Sequence, residues 1–196
     1  MSDEETIGVY DAKADDYAKC VEQSEPDPTL LAFLAKVKEG GRILDLGCGV
    51  ANASAVMRDE NFQVDAVDAS ASMVALANKT HDIGAAQQRF DALKATEFYD
   101  GVWANFSLLH TSKADFPRHL KQVRTALKPD GIFHIGMKLG EGEIRDSIGR
   151  FYSYYSFEEL CEYLEAAGFT VLDHALGEGT GLSGEISPWA MILSKR

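Results

Sequence analysis

Arg42-Ile43-Leu44-Asp45-Leu46-Gly47-Cys48-Gly49-Val50-Ala51-Asn52 carries an apolar strand through two glycines straight into a helical segment. At such a turn the chain sits close to whatever binds there. Gly47 supplies unusual backbone angles, and Gly49 removes the side chain that would block close approach. The helix opening near Ala51 aims unpaired amides at the same place. A second acid, Asp68, follows Gly47 by 21 residues at the end of the apolar stretch Val64-Asp65-Ala66-Val67, where a ribose-binding carboxylate belongs in a nucleotide fold. Glycine turn and spaced acid together point to an adenosine-containing cofactor.

The turn departs from the dinucleotide fingerprint in two places. Asn52 stands where a third small residue is needed, and Asp45 puts a carboxylate where a pyrophosphate would be repelled but a cation is welcome. That combination resembles motif I of the class I S-adenosylmethionine-dependent methyltransferases, whose ligand carries a sulfonium and an amino group and no phosphate. The resemblance implies that Asp45 supports the loop receiving the methionine part, while Gly47, Cys48 and Gly49 pass beneath it. It is firm over residues 40–138 and looser on the flanks.

Composition agrees with one enzyme-sized domain. The 196 residues are 45% hydrophobic, enough for a large core, and contain no apolar run near the length of a membrane span. The start, Met1-Ser2-Asp3-Glu4-Glu5, lacks the basic and apolar regions of a signal peptide, and Cys20, Cys48 and Cys161 match neither a metal spacing nor a disulfide framework. A cytoplasmic protein without a bound metal is expected. The net charge of -12 argues against nucleic acid or an anionic membrane as partner and leaves small molecules, weakly acidic or neutral. Oligomeric state is not readable.

Apolar strands alternate with amphipathic helices, the signature of a mostly parallel sheet covered on both faces. A first helix runs from Pro28 and closes at Gly40-Gly41. Strands are expected near 42–46, 63–67, 86–90, 99–104, 131–137, 169–172 and 189–193, with helices opening near Ala51 and Ser70, over 116–127, and from the capping-box pair Ser156 and Glu159. The order resembles the doubly wound, Rossmann-like, seven-stranded methyltransferase sheet, in which the last strand inserts antiparallel beside the fifth. Residues 1–196 read as a single domain: a helical cover over 1–40, a cofactor-binding core over 41–138, and a substrate-side segment with the final strands over 139–196.

In such a sheet the ligand crevice lies at the carboxyl ends of the strands, where the strand order reverses. The resemblance places Asp68 and Ala69 at the ribose, Met73 on the helix that follows, Asp91 and Ala92 at the adenine amine, and Asn105 and Phe106 over the methionine part. Phe106-Ser107-Leu108 replaces the Pro-Pro-aromatic sequence of enzymes that methylate DNA bases or amide nitrogens, which makes those acceptors improbable. Tyr10 and Tyr17 resemble the aromatic leader that small-molecule methyltransferases fold over the cofactor, and their spacing of two helical turns puts both rings on one face. Arg145, Arg150, Tyr152 and Tyr154 are candidates for holding a carboxylate or flat polar acceptor, because a guanidinium forks to an anion and phenols donate hydrogen bonds. The glycine-rich stretch Gly177 to Gly184 is expected to form a loop covering the same pocket.

Methyl transfer from a sulfonium mainly requires alignment of nucleophile and methyl carbon. Where a proton must also leave, His110, closing the loop after the fourth strand, is the candidate base. Two other readings stay open: a cofactor-binding module without catalysis, and a nicotinamide-dependent reductase, which Asn52 and the absence of a Tyr-x-x-x-Lys pair disfavour.

Overall fold

β1 (Arg42–Leu46) is buried along nearly its whole length, as a continuous apolar run must be when helices cover both faces of a parallel sheet. The computed structural model describes residues 3–21 and 26–196. β1 pairs in parallel with β2 (Gln63–Asp68) on one side and β4 (Tyr99–Asn105) on the other. β3 (Ala86–Gln87), β5 (Leu127–Lys138), β8 (Thr170–Thr180) and β9 (Ile186–Lys195) complete a seven-stranded sheet in the order β3-β2-β1-β4-β5-β9-β8. β9 runs antiparallel to both β5 and β8, so the final strand is inserted as expected.

Alternation along the strands sorts the core into two layers. Ile43, Trp103, Ile132 and Leu193 face Leu30 and Phe33 of α3 (Pro28–Leu34) and Met57 of α4 (Asn52–Asp59). Leu44, Val102, Phe133 and Ile135 face the opposite way, against Phe116, Leu120 and Val123 of α6 (Phe116–Ala126) and Leu160 and Leu164 of α7 (Phe157–Ala166). The Ser156–Glu159 capping box starts α7 as read from the sequence. α5 (Ala71–His81) follows β2, with the Ser70 hydroxyl accepting from the Met73 amide at its start.

Three segments depart from the sequence reading. The leader forms two helices, α1 (Glu4–Ala12) and α2 (Ala14–Cys20), broken at Lys13. Tyr10 and Tyr17 therefore do not share one helical face, yet the bend brings their rings edge to face at 5.6 Å. The third strand ends after two residues and gives way to a tight turn over Phe90–Ala92. The segment after β5 folds as a hairpin of β6 (Glu143–Arg145) and β7 (Phe151–Ser153), and the first half of the glycine-rich stretch, Gly177 to Thr180, is strand in β8, while Gly181 to Gly184 form the turn to β9. The strand glycines make room for an aromatic ring: a Cβ on Gly177 would lie 2.4 Å from the Trp189 indole of the paired strand.

Gly101 sits where β4 passes under α3, and an added Cβ would come within 2.8 Å of the Phe33 ring and 2.9 Å of a Val37 methyl. Overpacking of a filled core costs about 1–3 kcal/mol. Gly101→Ala is expected to lower the unfolding free energy by that amount, read as a lower urea midpoint at unchanged slope, and an unchanged midpoint would mean that α3 does not pack against the sheet in this way.

Candidate functional site

The turn after β1 is fastened to its neighbours by its own backbone. The amides of Gly47 and Cys48 both donate to the Val67 carbonyl, at 2.8 and 2.9 Å, so they belong to the fold. The Gly49 amide donates to Asp68 Oδ2 at 2.9 Å, while Oδ1 of the same carboxylate accepts from the Ser70 amide at 2.8 Å. Asp68 is thereby fixed at the tip of β2 with each oxygen retaining a further acceptor position. Burial raises its pKa against the pull of those amides.

Both glycines are in the left-handed region, at φ 80° for Gly47 and 55° for Gly49. A Cβ on Gly47 would meet Ser107 at 2.4 Å, and one on Gly49 would meet the Tyr17 ring at 3.1 Å. The close approach at Gly47 is therefore made by the loop after β4, whose Ser107 hydroxyl also donates to the Leu46 carbonyl at 2.6 Å. Asp45 lies inside, 3% exposed, accepting from the Ser54 hydroxyl of α4 at 2.6 Å. Burial pushes its carboxyl up to about 7.

Two cavities meet here. The smaller, ≈ 70 Å³, is lined by Gly47, Gly49, Asp68, Ala69, Met73 and Phe90, and the leader roofs it with Tyr10 and Tyr17. The larger and more open one, ≈ 1000 Å³, takes in Asp45, Cys48, Arg150 and Tyr152. Tyr10, Tyr17, Gly47, Asn105 and Phe106 line both. Phe106 holds φ 53°, a conformation that costs a non-glycine residue about 1–3 kcal/mol and that concentrates at ligand sites. Asn105 Oδ1 accepts from His134 Nε2 at 3.1 Å, in space that Gly136 leaves open: a Cβ there would lie 2.2 Å from that oxygen.

His110 lines the smaller cavity, but neither ring nitrogen is free. Its Nδ1 lies 2.6 Å from the Phe151 carbonyl and so carries the proton, which makes Nε2 the acceptor for the Tyr10 hydroxyl at 2.9 Å. The same Tyr10 oxygen accepts from Arg150 at 3.0 Å. Arg150 is 2% exposed and doubly bonded to the Asp146 carboxylate, at 2.9 Å from Nε and 2.7 Å from Nη2. Asp146 also caps the β6–β7 turn, accepting from the Ile148 and Arg150 amides. A continuous polar chain thus runs from Asp146 through Arg150 and Tyr10 to His110.

Of the residues predicted to meet the cofactor, Tyr10, Tyr17, Gly47, Gly49, Asp68, Ala69, Met73, Asn105 and Phe106 border the smaller cavity, and Asp45 and Cys48 the larger. Asp91 and Ala92 border neither. Their turn aims Phe90 inward and leaves Asp91 on the outside, paired with Arg118 at 3.3 Å. Among the four acceptor candidates, Arg150 and Tyr152 line the larger cavity. Arg145 is spent outside it on Asp3 and Glu5, and Tyr154 packs over Gly140. Sequence reasoning missed Ser54, Ser107, Gly136, Lys138 and Asp146. The spacing of Asp146 to Arg150 was visible, but four residues suggests a helix pair, and only the hairpin shows a buried one.

Among the described residues, no group of three or more His, Cys, Asp or Glu is placed to hold a metal ion, and no helix is long and apolar enough to cross a membrane. The family model described as a methyltransferase domain matches residues 21–174, and the chain belongs to that family. An uncharacterized methyltransferase of Staphylococcus carnosus is 25% identical over 146 residues, covering 74% of this chain and 70% of its own. The solved 1,6-didemethyltoxoflavin-N1-methyltransferase of Burkholderia thailandensis, with bound 1,6-didemethyltoxoflavin and S-adenosylhomocysteine, superposes with TM-score 0.77 at 20% identity, over 98% of this chain and 89% of that one. The [4+2]-cyclase SpnF superposes with TM-score 0.75 at 18% identity, over 96% and 94% of the two chains. These two structures share the fold.

The buried titratable groups set an acid sensitivity. Burial holds His110 near 4 and His134 near 3, and it lowers His81 and His119 as well. Unfolded histidines titrate near 6.5, so between about pH 6.5 and 4 these sites bind more protons when unfolded, and stability rises with pH. Asp45 and Asp68, with raised pKa values, act with the opposite sign. The two sets oppose each other, and Asp45→Asn removes a group of one sign only, so the urea midpoint of that variant is expected to rise more steeply from pH 5 to pH 6.5 than that of wild type. An unchanged or shallower pH dependence in Asp45→Asn would contradict the assignment.

Proposed function

We propose that this methyltransferase-family protein binds S-adenosylmethionine in the crevice between the β1 and β2 turns and transfers its methyl group to a small molecule held in the larger cavity. The observation that carries the reading is the Asp68 carboxylate, oriented by the Gly49 and Ser70 amides at the edge of a small cavity, with acceptor positions left for a vicinal diol. The surroundings fit a nucleoside. Met73 and Phe90 offer apolar walls for a base, and the left-handed turn at Gly47 and Gly49 keeps side chains out of the crevice.

When bound, S-adenosylmethionine supplies a methyl group on a sulfonium with a good leaving group. The protein's share is binding and orientation. Asp68 holds the ribose, Asn105 and Phe106 stand at the junction of the two cavities, and Tyr10 and Tyr17 roof it against water. His110 Nε2 already accepts from Tyr10, so any proton it takes from an acceptor passes through the Tyr10 oxygen. The name of the solved 1,6-didemethyltoxoflavin-N1-methyltransferase, which shares the fold, supports a small-molecule acceptor. Cys20, Cys48 and Cys161, all free thiols, support a reducing, cytoplasmic location.

Calorimetry with S-adenosylmethionine tests the cofactor directly. Asp68→Ala is expected to weaken binding by about 1.5–3 kcal/mol, the scale of hydrogen bonds to a charged group. Wild-type preference for NADH would overturn the assignment in favour of a reductase. Tight S-adenosylmethionine binding without methyl transfer to any of a broad acceptor panel would favour a non-catalytic module.

A further inference from the structure

The larger cavity has a defined chemistry where it passes over the sheet. Along β4, β5 and β9 the residues on the α3 side include Trp103, Asn105, Lys138, Trp189 and Met191. Lys138 and Trp189 are direct partners, as are Gly136 and Met191. Leu30 of α3, Leu109 and Tyr152 line the same cavity, and Phe106 lines both it and the smaller one. The walls carry aromatic and aliphatic side chains with a few neutral polar ones, Asn105, Thr180 and Ser187, and two cations project among them, Arg150 and Lys138.

These two cations differ in kind. Arg150 is neutralised by the buried Asp146 carboxylate and adds no net charge. The Lys138 ammonium lies 4.7 Å above the Tyr152 ring and forms no ion pair or hydrogen bond among the described residues. Glu185, on the β8–β9 turn, and Asp146 reach it only through space. The remaining cations of the cavity, Lys19 and Arg58, belong to its α2–α4 end, where Arg58 is paired with Asp59. An unpaired, half-buried ammonium carries a desolvation cost, which shows as a lowered pKa and which an anion would relieve. In a chain of net charge -12, Lys138 thus keeps its charge beside aromatic walls without a carboxylate partner among the described residues.

We infer that the acceptor is a small aromatic or apolar acid, and that Lys138 is the specificity residue that pairs with its carboxylate. The ring lies among Trp103, Trp189, Met191 and Leu30, and the reacting end points towards Asn105 and Phe106 at the junction of the cavities. Arg150, the cation that the sequence suggests for this role, instead braces Tyr10. The inference rests on the larger cavity being the acceptor site of the methyltransferase proposed above.

The chain contains two tryptophans, and both line this cavity, so intrinsic fluorescence reports on its occupancy without turnover. With S-adenosylhomocysteine present, benzoate, phenylacetate and 4-hydroxyphenylacetate would be titrated beside their primary amides, against wild type, Lys138→Met and Lys138→Arg. The expected result is at least tenfold tighter binding of the acids than of the amides in wild type, retained in Lys138→Arg and lost in Lys138→Met. Equal binding of acids and amides, absence of quenching by either, or an acid preference surviving in Lys138→Met would each overturn the inference. Calorimetry of S-adenosylmethionine on the same samples separates the two levels. Unchanged cofactor affinity in Lys138→Met shows a folded variant, and failure of wild type to bind the cofactor would count against the methyltransferase reading instead.

Discussion

The Asp68 carboxylate, accepting from the Gly49 and Ser70 amides, is the contact on which the site depends. It ties the turn after β1 to the end of β2 and the start of α5, three elements that the parallel sheet brings to one edge. Two further bonds, from the Gly47 and Cys48 amides to the Val67 carbonyl, lock the same junction from below. The carboxylate is rigid because the backbone satisfies part of it, and it still has acceptor capacity to offer a ligand. A free aspartate at an exposed turn would have to be ordered on binding, at a cost in side-chain entropy.

A second buried arrangement organises the other wall. Asp146, Arg150, Tyr10 and His110 form one polar chain of successive hydrogen bonds, so the leader helix is hydrogen-bonded to the β6–β7 hairpin and to the loop after β4. Unlike the Asp68 junction, it joins segments distant in sequence. Its consequence for chemistry is that the candidate base is not an isolated imidazole. His110 is held as one neutral tautomer by the Phe151 carbonyl, and its acceptor nitrogen communicates with the cavity through a phenol.

What could be read from the sequence follows from the range of the interactions involved. The β1 turn, the spaced Asp68 and the alternation of strands and helices are local patterns, and the fold places each as read. The inserted antiparallel β9 came from resemblance, since nothing local to Trp189–Leu193 specifies its neighbours. Contacts between distant segments were not legible. Arg150 looked like a substrate ligand because its partner Asp146 lies across a hairpin turn that has no periodic signal. Lys138 ends a strand where a lysine reads as a solvated terminus, and only the pairing with Trp189 turns it towards a cavity. Gly177 looked like a loop residue, whereas the cause of the missing side chain is the indole across the strand pair.

The central claim is that one crevice, framed by the β1 turn, the β2 tip and the leader helices, binds the cofactor. Amide hydrogen exchange with and without S-adenosylmethionine tests it at the level of segments, because ordering a ligand-binding region slows exchange there. Slower exchange is expected over residues 4–20, 47–52, 68–73 and 105–110, with the outer strand β8 unchanged. Protection confined to β8 and β9, or no protection at Gly49 and Ser70 under saturating ligand, would contradict it.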